Sequence, residues 1–140
     1  MELDESIHRL IKTYCTQGDA LADSAQYEAA VAAYNKAWEL VPDPKSDWSA
    51  STWILAAIGD ACFLGGYATS SKEALCFALT CPGGLGNPFI HMRLGQLAYD
   101  AGNLDVAADE LMRAYMGAGD EIFENEDGRY LTFLGTRARL

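Results

Sequence analysis

The sequence is poor in residues that bind metals. It contains two histidines and four cysteines, and no two cysteines are spaced as Cys-x-x-Cys. A structural zinc site needs four Cys or His ligands at close spacing, so we expect no metal site. Cys62 and Cys76 lie within hydrophobic runs, where a free cysteine behaves as a small buried side chain. Reduced cysteines of this kind are typical of a cytoplasmic protein.

Long hydrophobic runs are also lacking. No uninterrupted run exceeds six residues, as at 53–58, whereas a transmembrane helix needs about 20. The N-terminus is acidic, although a secretory signal would begin with basic and then apolar residues. We therefore expect no membrane association and a protein that stays in the compartment where it is made.

Basic residues are scarce relative to acidic ones. The chain of 140 residues has 10 bases and 20 acids, and a net charge of −10. Proteins that bind nucleic acid contact phosphates through Lys and Arg, so the balance excludes a general nucleic-acid binder and favours a basic protein partner. Half of the residues are hydrophobic, which excludes disorder, and a length of 140 residues predicts one domain over 1–140.

The negative charge is concentrated in one window. Residues 100–127 contain nine acids and a single base, Arg113. A solvated helix face is one interpretation of such a window. The other is a surface that attracts a cationic protein, for which the candidate residues are Asp120, Glu121 and Glu124.

A glycine-centred pattern recurs along the chain. Alanine, a large side chain, alanine and a turn residue follow Gly18 and Gly95 at the same offsets of 12, 16, 19 and 24 residues. A third segment is centred on Gly59, where the equivalent alanine is expected at Ala74, three residues late. A glycine opposite small residues lets two helices approach closely, so each segment predicts an antiparallel helix pair.

Helices are predicted near 4–22, 27–41, 49–64, 72–81, 88–101 and 104–118, with N-caps at Ser71 and Asn103. A further helix is predicted over 128–140. The first and third segments resemble the tetratricopeptide repeat in Tyr14, Gly18, Leu21, Ala30, Tyr34, Ala37 and Pro42, and in Leu94, Gly95, Tyr99, Gly102, Ala107, Leu111 and Ala114. The resemblance implies an all-α array of about three antiparallel helix hairpins, at 11–44, 49–84 and 88–121, with a C-terminal capping helix. The middle repeat departs from the family pattern, with extra residues in its turn at 65–71.

No arrangement of residues typical of an enzyme is found. The glycine-rich stretch 83–86 lacks the Lys and Ser/Thr of a phosphate-binding loop. No nucleophile has an identifiable base, and His91 is interpreted as a structural histidine. We expect a protein that is not an enzyme and needs no cofactor.

A concave groove is the predicted binding site. In the array that the resemblance implies, the first helix of each hairpin lines this groove. Two acids follow directly after the glycines of the first two hairpins, and aromatic residues surround them. The candidate residues are Asp19, Trp53, Asp60, Phe63, Phe89, Met92, Gln96 and Tyr99. Acids with aromatics suit a partner rich in Lys or Arg, although an aromatic stripe is also typical of a core.

Three function classes remain. The stretches 53–61, 86–96 and 113–124 resemble small acidic repeat proteins encoded beside bacterial polymorphic toxins. That resemblance implies an immunity protein that neutralises a cognate, basic toxin domain as a monomer or weak dimer. The alternatives are a secretion chaperone for translocator proteins, which also resembles three acidic tetratricopeptide units, and a generic adaptor.

Overall fold

The computed structural model describes residues 3–140, and these residues form helices and connecting turns without a strand. The predicted all-α fold class is therefore confirmed. Two short 3-10 turns, Lys45–Asp47 and Asp120–Phe123, interrupt the connections. The seven α-helices are α1 (Glu5–Asp23), α2 (Tyr27–Leu40), α3 (Ser49–Gly65), α4 (Ala68–Ala78), α5 (Pro88–Asp100), α6 (Leu104–Ala118) and α7 (Gly128–Arg137).

The helices fall into two compact units. The first unit ends at Leu85 and holds α1 to α4, and the second, Gly86–Leu140, holds α5 to α7. The single domain expected from the sequence stays a prediction. A single cooperative unfolding transition would support it, and two separate transitions would contradict it. Among residues 3–140, no helix combines the length and the apolar character needed to cross a bilayer.

Consecutive helices pair as antiparallel hairpins within each unit. Helices α1 and α2, α3 and α4, and α5 and α6 contact one another along their lengths. The turns between them are short, and two contain a glycine with a positive φ: 86° at Gly66 and 82° at Gly102. Because L-residues with a Cβ rarely adopt this conformation, glycine lets the chain reverse within two or three residues.

Each hairpin has a glycine at its closest approach. A Cβ added to the glycine would lie 2.5 to 2.6 Å from the side chain opposite, which is closer than real Cβ contacts. The large side chain follows its glycine by 16 residues in every case. This close approach confirms the role predicted for the glycines. The three pairs are Gly18 with Tyr34, Gly59 with Leu75, and Gly95 with Leu111.

The middle hairpin is more regular than the sequence suggested. Helix α4 begins at Ala68, four residues before the predicted start, so Ser71 is not its N-cap. Ser71 is fully buried, and its hydroxyl donates a hydrogen bond to the Gly59 carbonyl at 2.6 Å. It lies 12 residues after Gly59, where the other hairpins have alanine. The equivalence proposed for Ala74 is therefore wrong, and the longer connection lies after α4.

Other local predictions have mixed outcomes. Asn103 does precede α6, although its side chain makes no cap hydrogen bond. Helix α7 starts at Gly128 as predicted but ends at Arg137, and the Asp127 carboxylate caps it by accepting from the Arg129 amide at 2.9 Å. Cys62 is buried as expected. Cys76 is exposed, because it faces away from the side of α4 that buries Ser71, Leu75 and Ala78.

Candidate functional site

Asp19 and Asp60, two predicted groove acids, lie near the hydroxyl of Tyr34. The hydroxyl donates a hydrogen bond to the Asp19 carboxylate at 2.6 Å. Burial is the main reason that the pKa of Tyr34 is raised, and the Asp19 bond and the charges of Asp19, Cys15 and Asp60 raise it further. Asp19 therefore has a structural partner on α2 as well as an exposed position. Asp60 is half-buried.

Trp53 is the most accessible of the predicted groove aromatics. Its side chain is 38% exposed, whereas Phe63, ten residues further along α3, is half-buried. Residues seven apart on a helix lie two turns apart on the same side, so Trp53 and Asp60 share a face of α3. The first unit thus has an exposed aromatic and a half-buried acid on one face of α3, and their role in binding stays a prediction.

Met92 and Gln96 are not exposed groove residues. Met92 is 1% exposed and Gln96 is fully buried. The Gln96 side chain accepts a hydrogen bond from Arg93 at 2.7 Å and donates one to Glu126 at 2.8 Å. Arg93, itself buried, also pairs with Glu126. The segment before α7 thus places the Glu126 carboxylate against α5. This contact provides a partner for Arg93 and Gln96, so Gln96 is buried although the helix pattern predicted it at the surface.

The two remaining groove aromatics have internal contacts in the second unit. The Arg93 guanidinium lies 5.1 Å from the centre of the half-buried Phe89 ring. Tyr99 packs against α7, with its ring centre 5.6 Å from that of Tyr130 and 5.0 Å from that of Phe133. The sequence predicted α7 as a cap but did not indicate that it would contact Tyr99.

Most acids of the acidic window have a partner within the chain. Six of its nine acids contact a base or buried polar group: Asp100 with Arg129, Asp105 with Arg137, Asp109 with Arg113, Glu110 with His91, Glu126 with Arg93, and Asp127 with Arg129. Asp120, Glu121 and Glu124 are exposed. Their side chains form no ion pair or hydrogen bond with other residues of 3–140. These three residues are therefore the acids of the window that have no internal partner in residues 3–140.

His91 has the structural role expected for it. It is 5% exposed, and its Nδ1 lies 2.5 Å from the Glu110 carboxylate on α6. This contact links the two helices of the third hairpin. Within the described part of the chain, no three His, Cys, Asp or Glu side chains are grouped so that they could hold a metal ion.

Neither the protein-family models nor the curated proteins include a match to this chain. Function is therefore inferred from the surfaces described above.

Proposed function

We propose that the chain is a non-catalytic binding protein that neutralises one cognate toxin domain with a basic surface, in the bacterial cytoplasm. The observation that carries the proposal is the set of exposed carboxylates without a partner in residues 3–140, at Asp120, Glu121 and Glu124. The resemblance of the hairpins to tetratricopeptide repeats supports it, because stacked hairpins present broad surfaces to other proteins. We propose that it acts as a monomer or weak dimer.

Electrostatics gives this proposal its physical basis. Toxins that act on nucleic acids or nucleotides need positive charge near their active sites. An acidic inhibitor attracts such a surface over distance and associates quickly, before damage accumulates. Slow dissociation needs buried anchors in addition, and aromatic side chains are common anchors. Trp53 is accessible for that role, and Asp60 lies on the same face of α3.

Co-expression with the product of the adjacent upstream gene tests the proposal. We expect that gene to be toxic alone and the present chain to restore growth. Rescue should be lost in Trp53→Ala and Asp60→Lys variants that keep the helical far-ultraviolet spectrum. Alanine at an anchor should weaken binding by about thirtyfold, which corresponds to about 2 kcal/mol.

Leu104→Ala is the control for Trp53→Ala. Leu104 is a hydrophobic residue with a similar exposure, 40%, but it lies on α6 and not on α3. This variant should rescue growth as well as the unchanged chain. The proposal is wrong if no neighbouring gene is toxic. Recovery of a hydrophobic translocator in pull-downs would instead support the secretion chaperone.

A further inference from the structure

A cavity of about 570 Å³ lies in the first unit, where the start of α1 meets the start of α3. Its lining includes Glu5 and His8 of α1, Leu3 two residues before that helix, and Trp48 and Trp53 from the other side. The volume falls within the range of about 300–1,000 Å³ found for ligand pockets. None of the candidate groove residues except Trp53 lines it.

Two indole rings border this cavity. The Trp48 ring is held in place because its Nε1–H donates a hydrogen bond to the Pro42 carbonyl at 2.9 Å. Trp53 is 38% exposed and sits in the second turn of α3. Indole is the aromatic group that attracts cations most strongly through its ring face. A fixed ring and an accessible ring in one cavity suit a flat cationic group.

The chain places its own cations over many of its other aromatic rings. The distances from cation to ring centre are 5.8 Å for Lys36 and Tyr14, 5.0 Å for Lys45 and Trp38, 5.1 Å for Arg93 and Phe89, 4.8 Å for Arg129 and Tyr130, and 5.3 Å for Arg137 and Phe133. Among residues 3–140, no such contact is formed by Trp48 or Trp53. The two rings therefore carry no internal cation; Trp48 is partly buried against the core of the first unit, and Trp53 is the more exposed of the two.

Glu5 supplies the complementary negative charge. Its side chain is 90% exposed, and its neighbour Arg9, 74% exposed, approaches it to 3.5 Å. Exposed pairs of this kind contribute little to stability, so Glu5 can exchange Arg9 for an incoming cation. The net charge of −10 attracts a cationic partner to the molecule as a whole.

We propose that this cavity binds an arginine side chain of the partner protein. The guanidinium group is planar and stacks on aromatic faces, and it pairs with a carboxylate through two parallel hydrogen bonds. Trp48 and Trp53 provide the stacking surface and Glu5 the carboxylate. That the arginine belongs to a toxin domain rests on the proposed function, whereas the chemistry of the cavity does not.

Titration of the protein with a short Gly-Arg-Gly peptide tests the site, with the matched citrulline peptide as a neutral isostere. We expect saturable shifts of the indole N–H resonances of Trp48 and Trp53 with the arginine peptide, and binding at least tenfold weaker with citrulline. Trp53→Ala and Glu5→Gln should each weaken binding about threefold or more. Arg9→Gln should strengthen it, because a competitor for Glu5 is removed.

Trp38→Phe and Glu39→Gln are matched controls. Trp38 is stacked with Lys45, and Glu39 is an exposed acid outside the cavity, so neither change should alter the affinity. Equal affinity for the arginine and citrulline peptides would overturn the proposal, as would binding that is unaffected by both Trp53→Ala and Glu5→Gln. Spectra of the free variants show whether each remains folded.

The same variants separate this inference from the proposed function. If the peptide binds as expected but no toxin is neutralised, the cavity stands and the proposed function fails. If growth rescue survives Glu5→Gln and the peptide does not bind, the proposed function stands and the arginine site fails.

Discussion

Gly95 is the residue at which the third hairpin has the least space. A Cβ at this position would lie 2.6 Å from Cγ of Leu111 and 3.0 Å from the Leu111 backbone nitrogen. The leucine tip can rotate, but the backbone atom can move only if α5 and α6 separate. The close approach of the two helices therefore depends on the missing side chain.

Gly95→Leu should accordingly destabilise the protein by about 3 kcal/mol, because a larger side chain overpacks the helix pair. Thermal and urea unfolding measure the change. Gly135→Ala is the control, since Gly135 lies in α7 with nothing within 4 Å of an added Cβ. That change should be neutral or stabilising by up to about 1 kcal/mol. An unchanged melting point for Gly95→Leu would show that the predicted register is wrong.

Cys15 couples folding to alkaline pH. Burial, and secondarily the charge of Asp19, raise the pKa of its thiol to about 11. In an unfolded chain a thiol titrates near pH 8.5. Between these values the unfolded chain releases the proton and the folded chain retains it, so the free energy of unfolding falls as pH rises.

We expect urea unfolding between about pH 8.5 and 11 to show this decrease, with a shallower slope in Cys15→Ala. Part of the slope should remain, because the pKa values of Tyr34, Cys62 and Cys81 are raised too. The slope is the quantity to compare, since the variant also loses buried surface. The same slope in both proteins would contradict the assignment to Cys15.

At the scale of helices, local sequence signals were sufficient for most boundaries. Helices α2, α3, α5, α6 and α7 begin at the predicted residues. The start of α4 was missed because Gly65 and Gly66 suggested a long turn, whereas Gly66 alone ends α3 in a left-handed conformation. The serine in place of alanine at position 71 then concealed the shared register.

The burial of Gln96 could not be predicted from its own helix. Its position on α5 indicated an exposed residue, and its actual partner Glu126 lies 30 residues further along the chain. No local pattern indicates which acid among several in a polar segment will turn inward.

Glu126 should stabilise the junction between the third hairpin and α7. Glu126→Ala removes its contacts with the buried side chains of Arg93 and Gln96, and we expect a loss of about 2 kcal/mol in the free energy of unfolding. The exposed Glu124, two residues earlier, is a matched control whose change to alanine should stay within about 0.5 kcal/mol. Equal effects in urea unfolding would mean that the buried contacts do not contribute to stability.

At the scale of the whole molecule, net charge overstates the acidic surface. The window at 100–127 carries most of the excess charge, yet most of its acids are paired within the second unit. Composition indicates the sign of a partner's charge, but only the ion pairs show which carboxylates remain for it. The three exposed acids near α7 are therefore the residues to change.

Reversing the charge of Asp120, Glu121 and Glu124 to lysine should slow association with the proposed basic partner more than it speeds dissociation, because long-range attraction acts before contact. Association of the unchanged chain should also slow as salt rises, since charges are screened beyond about 8 Å at physiological ionic strength. Stopped-flow binding measures both rates. Reversal of three exposed acids in the first unit, Glu39, Asp43 and Asp47, is the control for net charge. An association rate that is independent of salt would mean that the acidic window is a solvated helix face and does not attract the partner.

The spacing of the glycine pairs has a consequence for how the chain folds. Each glycine meets its partner side chain only 16 residues away, so the tightest contact of every hairpin closes a short loop. Short loops cost little entropy to close, and helical proteins rich in such contacts fold in microseconds to milliseconds. A hairpin can therefore form as soon as its second helix leaves the ribosome, before the rest of the chain has been synthesised.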